Sequence, residues 1–338
     1  MNPQPTFPVF IWGQPVSSAR FAAQMGENTA FYQEKSDTPQ NWDAAYGGVL
    51  GMALVSQWTN TPGQPVTSQH CGHVQPDESN DPVALVKNYQ AFKAFAGVPV
   101  WYECSMQELE QNGAALANGT CDWFGVNHYP VNGYNRPDWV DYSLACPDVR
   151  KGIPYVVSLA QSKAPGKPVY AVVEACDPWR GSPPGAVQCN ANQFRAMAWS
   201  AIACGARALG IFCQRDTNDF AYISTHPDVA AEIQRLTAMA AKYPWIGTAG
   251  GTPMATGNPA VFGMTFPAAG TPLTGIVVNS SSVPQAYMGT TIAPWTVQIL
   301  RGIVIDSIGP SATKTITSVS TTVAYSDGTS NTTPVAIG

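Results

Sequence analysis

Charge is what this chain has least of. Asp, Glu, Lys and Arg make up 12% of its 338 residues, against about 25% in an average soluble domain. The formal net charge is -5, so the basic surface that nucleic-acid binding requires is missing. No run of about 18 apolar residues occurs, which excludes a membrane-spanning helix of the usual kind. The first ten residues, MNPQPTFPVF, lack a basic segment followed by a long apolar one and do not read as a signal peptide. No CxxC pair is present, so a zinc ribbon or a thioredoxin motif is not expected. No GxSxG elbow is present either, and no cysteine has an evident base partner, which argues against Ser or Cys nucleophilic catalysis.

Eight cysteines are there all the same: Cys71, Cys104, Cys121, Cys146, Cys176, Cys189, Cys204 and Cys213. Their even number permits disulfides, and Cys176 with Cys189 could close one loop. Reduced, buried thiols are the alternative. All eight precede residue 214, a first sign that the C-terminal part is a separate unit.

The first 245 residues alternate short apolar runs with helix-like segments. Strands are expected at PVFIWG (8–13), NTAFYQ (28–33), GVLGMALVSQ (48–57), HCGHVQ (70–75), VPVWYE (98–103), CDWFGVNHYP (121–130), KPVYAVVEA (167–175) and ALGIFCQ (208–214). Amphipathic stretches with serine, threonine or proline starts and glycine stops separate most of them. The exception is 58–69, whose two prolines read as loop or a single turn. Eight strands with intervening helices predict a (β/α)8 barrel over residues 1–245, its apolar runs buried on both faces. A doubly wound open sheet is the alternative, but no GxGxxG follows the first strand. Beyond Trp245 the chain turns to Gly, Pro, Thr and short β-rich runs. Past Lys242 its charged side chains are Arg301, Asp306, Lys314 and Asp327. A small C-terminal β-sandwich is expected over 246–338.

Active sites of such barrels lie at the C-terminal ends of the strands, so acids there are the informative ones. Glu78, in HVQPDESND, follows the fourth strand. Glu103 ends the fifth, and Glu174 leaves VYAVV at the end of the seventh. A carboxylate at the rim of so apolar a strand costs several kcal/mol unless it is paired or hydrogen-bonded. Strands four and seven face each other across an eight-stranded barrel, so Glu78 and Glu174 can converge on one cleft. Two carboxyl groups about 5–5.5 Å apart are what retaining glycoside hydrolysis uses. Structural roles compete: Glu78 as an acid at the N-terminus of the helix starting near Asp81, and Glu174 as the ion-pair partner of Arg180 or Arg215.

With glutamates ending strands four and seven, the chain resembles the large retaining clan of (β/α)8 glycoside hydrolases, which includes cellulases, mannanases and β-galactosidases. The resemblance covers residues 1–245 and rests on short motifs. It implies Glu78 as general acid/base and Glu174 as nucleophile. It also implies Tyr129, in VNHYP, as the tyrosine that orients the nucleophile, a carbohydrate substrate, and no cofactor. Two departures stand out. Asp77 occupies the place of the usual asparagine before the acid/base, and its charge would raise the pKa of one of the two neighbours. The tryptophan common on strand eight has no match, since Cys213 and Gln214 stand there.

Other residues are expected to line the cleft. Glu103 would line the pocket, His128 would donate to a sugar hydroxyl, and Gln214 would contact the substrate. Trp12, Trp58, Tyr102, Trp123, Tyr129, Tyr134, Trp139 and Trp179 would offer stacking faces to sugar rings, whereas Trp101 and Trp199 would pack helices against strands. His70 and His73, three apart on a strand, would point to opposite faces and chelate no shared metal. A rival of another class is a glycan-binding or structural component of a larger assembly such as a phage virion, joined through the C-terminal β region. The low charge, the Ser/Thr-rich C-terminal strands and the lack of a visible signal peptide fit it. They also favour an extracellular or virion-associated location over a cytoplasmic one.

Overall fold

The computed structural model describes residues 5–12, 15–32, 38–56, 68–131, 152–175, 188–212, 223–246, 248, 251–266, 274–287, 289–301, 304–308, 318–324 and 330–336. The N-terminal region runs β1 (Val9–Ile11), α1 (Ala19–Met25), β2 (Thr29–Tyr32), α2 (Pro39–Asp43), β3 (Ala53–Ser56), β4 (His70–Val74), α3 (Pro82–Ala96) and β5 (Val100–Ser105). It continues with α4 (Met106–Ala117), β6 (Trp123–His128), α5 (Ile153–Lys163), β7 (Val169–Glu174), α6 (Ala191–Ala203), β8 (Ala208–Phe212) and α7 (Pro227–Lys242). The eight strands form one sheet in which β2 to β8 pair in sequence and β1 pairs β8, all in parallel. A parallel bridge from Trp12 to Phe31 joins β1 to β2 and closes the ring. The architecture is the expected (β/α)8 barrel.

Local chemistry starts the helices where the sequence signals them. Thr38 caps α2, its hydroxyl accepting from the Asn41 backbone at 3.2 Å. Asp81 caps α3, accepting from Val83 and Ala84 at 3.0 Å each. Ser105 and Glu108 form a reciprocal capping box on α4, which satisfies two otherwise orphaned donors. The third expected strand begins late. Residues Ala44–Val49 continue α2 as a wider helical turn, and Gly51 takes a left-handed φ of 67° before β3 starts at Ala53. The apolar run GVLGMALVSQ therefore straddles a helix end and a strand.

Aromatic rings fill the barrel lumen. Phe10 stacks on Phe31 at 4.4 Å, and Trp101 and Tyr170 pack against both. Glycines make the room. A Cβ on Gly72 would meet Trp101, one on Gly125 would meet Tyr170, and one on Gly210 would meet Phe10. Trp101 thus belongs to the lumen and not, as expected, to the helix layer. Trp199 does pack with the outer helices, in the cluster that holds Phe194 and Ile202.

Strand β4 carries a bulge. Leu54 pairs with His70 and Val55 with Gly72, so Cys71 is passed over. The extra residue changes the pleat and overturns the expected opposite facing of the two histidines. His70 meets Asp43 of α2 at 3.4 Å and His73 stacks on Phe92 of α3, so both face the helix layer, each with its own partner. No cluster of three or more potential metal ligands occurs among the described residues.

The C-terminal part is antiparallel. Five strands, β9 (Thr252–Pro253), β10 (Val261–Phe266), β11 (Thr274–Asn279), β14 (Val297–Arg301) and β15 (Val304–Ile308), form one sheet in the order β15-β14-β11-β10-β9. Two hairpins add β12 (Gln285–Tyr287) with β13 (Thr290–Ile292), and β16 (Ser318–Ala324) with β17 (Ser330–Ala336). The large sheet packs on α6: Ile276, Val278, Val297 and Ile299 share one apolar cluster with Phe194 and Met197. Covered on both sides, α6 buries even Arg195. That guanidinium pairs with Glu232 of α7 at 2.8 and 2.5 Å and reaches the Trp295 carbonyl at 3.3 Å.

Candidate active site

The pleat of each strand decides which side chains look into the barrel. On β7, Tyr170 and Val172 lie in the lumen cluster, so Glu174, two further on, faces inward at the C-terminal end. On β5, Trp101 and Glu103 face inward while Tyr102 and Cys104 belong to the outer cluster. On β6 the inward set is Trp123, Gly125 and Asn127, and Tyr129 continues it by stacking on Phe212 at 4.9 Å. His128, buried between Asn127 and Tyr129, falls on the outer face. It cannot serve there as the expected donor to a sugar hydroxyl.

Glu174 is 0% exposed, and its Oε1 accepts from the Val131 backbone N–H at 2.5 Å. Glu78 is exposed and sits in the turn after β4, with a left-handed φ of 47°. A non-glycine residue there costs on the order of 1–3 kcal/mol, and such strain gathers at functional sites. The turn is pinned from below, since the Tyr102 hydroxyl donates to the Ser79 carbonyl at 2.8 Å and Asn112 donates to Asn80 at 2.9 Å. Glu78 does not cap α3; Asp81 does. Its Oε1 instead accepts from Asn127 Nδ2 at 2.7 Å.

Asn127 is the residue that the sequence reading missed. Its Nδ2 also donates to Glu103 Oε1 at 2.8 Å. One amide thus bridges a carboxyl group in the open turn and one sealed in the barrel. Glu103 is 2% exposed. Burial first, and then the Asp77 charge, push its carboxyl well above the ordinary range; the Asn127 hydrogen bond opposes the shift and the Glu78 charge adds to it. The Asp77 charge thus acts on Glu103 and favours its neutral form.

The expected aromatic platforms divide. Trp12 is 2% exposed and packs on Phe31 at 4.7 Å, leaving no open face for a sugar ring. Tyr102 points outward beneath the Glu78 turn. Trp123 begins β6 and stacks on Trp101 at 4.3 Å, at the N-terminal end of the barrel and away from the acids. A cavity of about 430 Å³ at that end, lined by Trp123, Lys167, Arg207, Met264 and Phe266, has no part in the acid cluster. Tyr129 is at the C-terminal end, half-buried just past β6. Trp58, Tyr134, Trp139, Trp179, Arg180, Gln214 and Arg215 lie outside the described residues.

Of the pair that could close a loop, Cys176 lies outside the described residues, and Cys189 is buried with its thiol directed at the Glu174 carbonyl, 3.6 Å away. Cys71, Cys104, Cys121 and Cys204 are free thiols. Burial pushes Cys71 and Cys204 up to about 12 and Cys121 to about 11.

No protein-family model matches the sequence, and no curated protein does. Solved structures with a similar arrangement include AmyP in complex with maltotriose, at 7% identity and a TM-score of 0.42, covering 89% of this chain and 98% of that one. The GH113 β-mannanase AaManA from Alicyclobacillus acidocaldarius is 10% identical with a TM-score of 0.43, covering 69% and 97%. β-Glucuronidase 2 of Bacteroides uniformis, covalently bound to a cyclophellitol-6-carboxylate aziridine, is 8% identical with a TM-score of 0.44, covering 88% and 46%.

Proposed function

We propose that the chain is a retaining glycoside hydrolase acting on a poly- or oligosaccharide, with Glu78 as general acid/base and Glu174 as nucleophile. One observation carries this reading. The end of β6 and the residues just after it hold both acids, Asn127 donating to Glu78 and the Val131 backbone N–H donating to Glu174. Two carboxyl groups from opposite strands are thereby referenced to the same five-residue stretch at the C-terminal rim. Glu174, buried and fixed by a backbone donor, suits in-line attack on an anomeric carbon. Glu78, exposed in its turn, suits proton exchange with a leaving group and then with water. In the proposed sequence Glu78 protonates the glycosidic oxygen as Glu174 attacks. The leaving sugar departs, and water deprotonated by Glu78 then cleaves the glycosyl–Glu174 ester. Tyr129, inward-facing on the same stretch, is proposed to orient Glu174. Asp77 is proposed to face the substrate beside Glu78.

The test is turnover of a panel of aryl glycosides and polysaccharides by the wild type, Glu174→Gln and Glu78→Gln. The product anomer is read by NMR, and the Glu174 ester is trapped with a fluorinated glycoside and located by mass spectrometry. Expected are net retention, a label on Glu174, and loss of at least about 10³-fold in kcat for Glu174→Gln. Inversion of configuration, or a label on another residue, would refute the assignment.

A further inference from the structure

Glu103 has no place in the two-carboxylate scheme, yet the structure treats it with care. It is buried in the lumen, its Oε1 accepts from Asn127 at 2.8 Å, and its Oε2, sealed from solvent, meets no hydrogen-bond partner among the described residues. Among the described residues, the charges that act on it share one sign: Asp77 and Glu78 from the β4 turn, and Glu108 from α4. Across the lumen lies Tyr170, fully buried, on which the Glu103 charge would also bear. An ionised Glu103 would be an unpaired buried anion among anions, which proteins avoid. As the neutral acid it offers a carbonyl acceptor to Asn127 and an O–H on the other oxygen.

The geometry of Asn127 gives that acceptor a use. Its two Nδ2 hydrogens point in fixed directions about 120° apart. One goes to Glu103 inside the barrel and the other to Glu78 in the open turn, at 2.8 and 2.7 Å. Rotating the amide to release Glu78 would strand a buried acceptor, which is costly. Glu103 is therefore the fixed end of a two-armed clamp, and the strained turn carrying Glu78 is the free end.

Resting on the glycosidase reading above, we propose that Glu103 is a positioning residue for the acid/base: through Asn127 it fixes where the Glu78 carboxyl stands. Glutamine at 103 can do the same, presenting an amide carbonyl to Asn127 and an N–H where the acid has its O–H. Leucine cannot.

The experiment compares full-length wild type, Glu103→Gln, Glu103→Leu and Asn127→Leu. The first readout needs no turnover. The Asn127 side-chain amide signals, assigned by their loss in Asn127→Leu, are followed by hydrogen exchange. Glu103→Leu is expected to speed their exchange about tenfold or more, the equivalent of one lost hydrogen bond; Glu103→Gln is expected to stay within about threefold. The second readout is kinetic. Glu103→Leu is expected to lower kcat about 10²-fold, the usual cost of a displaced reacting group, with KM little changed. Glu103→Gln is expected to retain kcat within about threefold. Unchanged exchange in Glu103→Leu overturns the proposal, as does a Glu103→Gln variant as impaired as Glu103→Leu. If Glu103→Leu does not fold, Glu103→Met, of similar length and without an oxygen, takes its place. A protein that cleaves no glycoside but shows the exchange pattern sinks the glycosidase reading and keeps the clamp.

Discussion

Gly125→Ala tests the layer on which the candidate site stands. A Cβ at 125 would lie 2.5 Å from Tyr170 Cε1 and nearer still to Cζ and Cε2, where carbons in contact stand about 3.5–4.0 Å apart. The ring must move by on the order of 1 Å, and it has nowhere to go. Trp101 sits 5.1 Å from its centroid, Phe10 6.1 Å and Phe31 6.4 Å, and all four side chains are fully or almost fully buried. Overpacking of this kind costs about 1–3 kcal/mol. The conformational gain of alanine over glycine in a strand offsets about 0.5–1 kcal/mol of that. With three large rings behind Tyr170, a net loss of about 2 kcal/mol is expected, a large share of the roughly 5–15 kcal/mol that holds a domain together.

A double-mutant cycle makes the reasoning sharp. Tyr170→Ala removes the ring and costs about 3–5 kcal/mol by analogy with other buried aromatics. In that background the new methyl group meets empty space, so Gly125→Ala should be neutral or stabilising by about 0.5 kcal/mol. The coupling between the two sites is then about 2–3 kcal/mol, well outside the additivity of independent positions. Urea unfolding followed by tryptophan fluorescence measures all four corners. An equal cost of Gly125→Ala in both backgrounds, or a cost below about 0.5 kcal/mol in the wild type, would mean that Tyr170 does not cover Gly125. The inward set of β6, Asn127 included, would then have to be redrawn.

Three further outcomes are expected. Glu232→Ala strands the Arg195 guanidinium between α7 and the C-terminal sheet and should cost about 3–5 kcal/mol, seen as a lowered unfolding midpoint; a loss under about 1 kcal/mol would contradict a sealed pair. Burial holds His73 down to about 3 from an ordinary 6.5, a hydrogen bond to Ser56 partly opposing. The unfolded chain therefore takes up the proton first as pH falls, and from about 6.5 towards about 3 the wild type should lose up to about 1.4 kcal/mol per pH unit that His73→Gln does not lose; parallel stability–pH curves would refute this. Cys71, Cys121 and Cys204, with thiols pushed to about 11–12 by burial, should resist iodoacetamide at pH 8 in the folded protein and alkylate once it is unfolded, as peptide mass spectrometry can show.

The barrel was legible because its strands announce themselves. VYAVV and ALGIF are apolar without interruption, as a strand covered on both faces must be, and Thr38 and Asp81 mark helix starts by chemistry that works within three residues. What failed was direction and register. The run from Gly48 to Gln57 is equally apolar on both sides of the bend at Gly51, so composition alone could not divide helix from strand. One passed-over residue, Cys71, reversed the relative facing of His70 and His73, and a bulge leaves no mark in a five-residue window. Trp123 was expected at the rim and Trp101 in the helix layer. Position along the strand, not residue type, puts the first at the N-terminal end of the barrel and pairs the two face to face.

Asn127 shows why a site is harder to read than a fold. Glu78 and Glu174 could be singled out one at a time, because a carboxylate at the end of an apolar strand is conspicuous by itself. An asparagine in VNHYP is not; its importance lies in being within reach of two acids 24 and 49 residues away. Its two neighbours, His128 and Tyr129, drew notice as larger and more chemically suggestive side chains, yet the pleat turns His128 outward and Asn127 inward. The same pleat brings Glu103 under Glu78. Had the inward set of each strand been fixed from one certain position, alternation would have aligned Glu103, Asn127 and Glu174 at the rim before any coordinate was known. Lumen aromatics such as Tyr170, paired with glycines on neighbouring strands, are the internal marker from which that phase could be set.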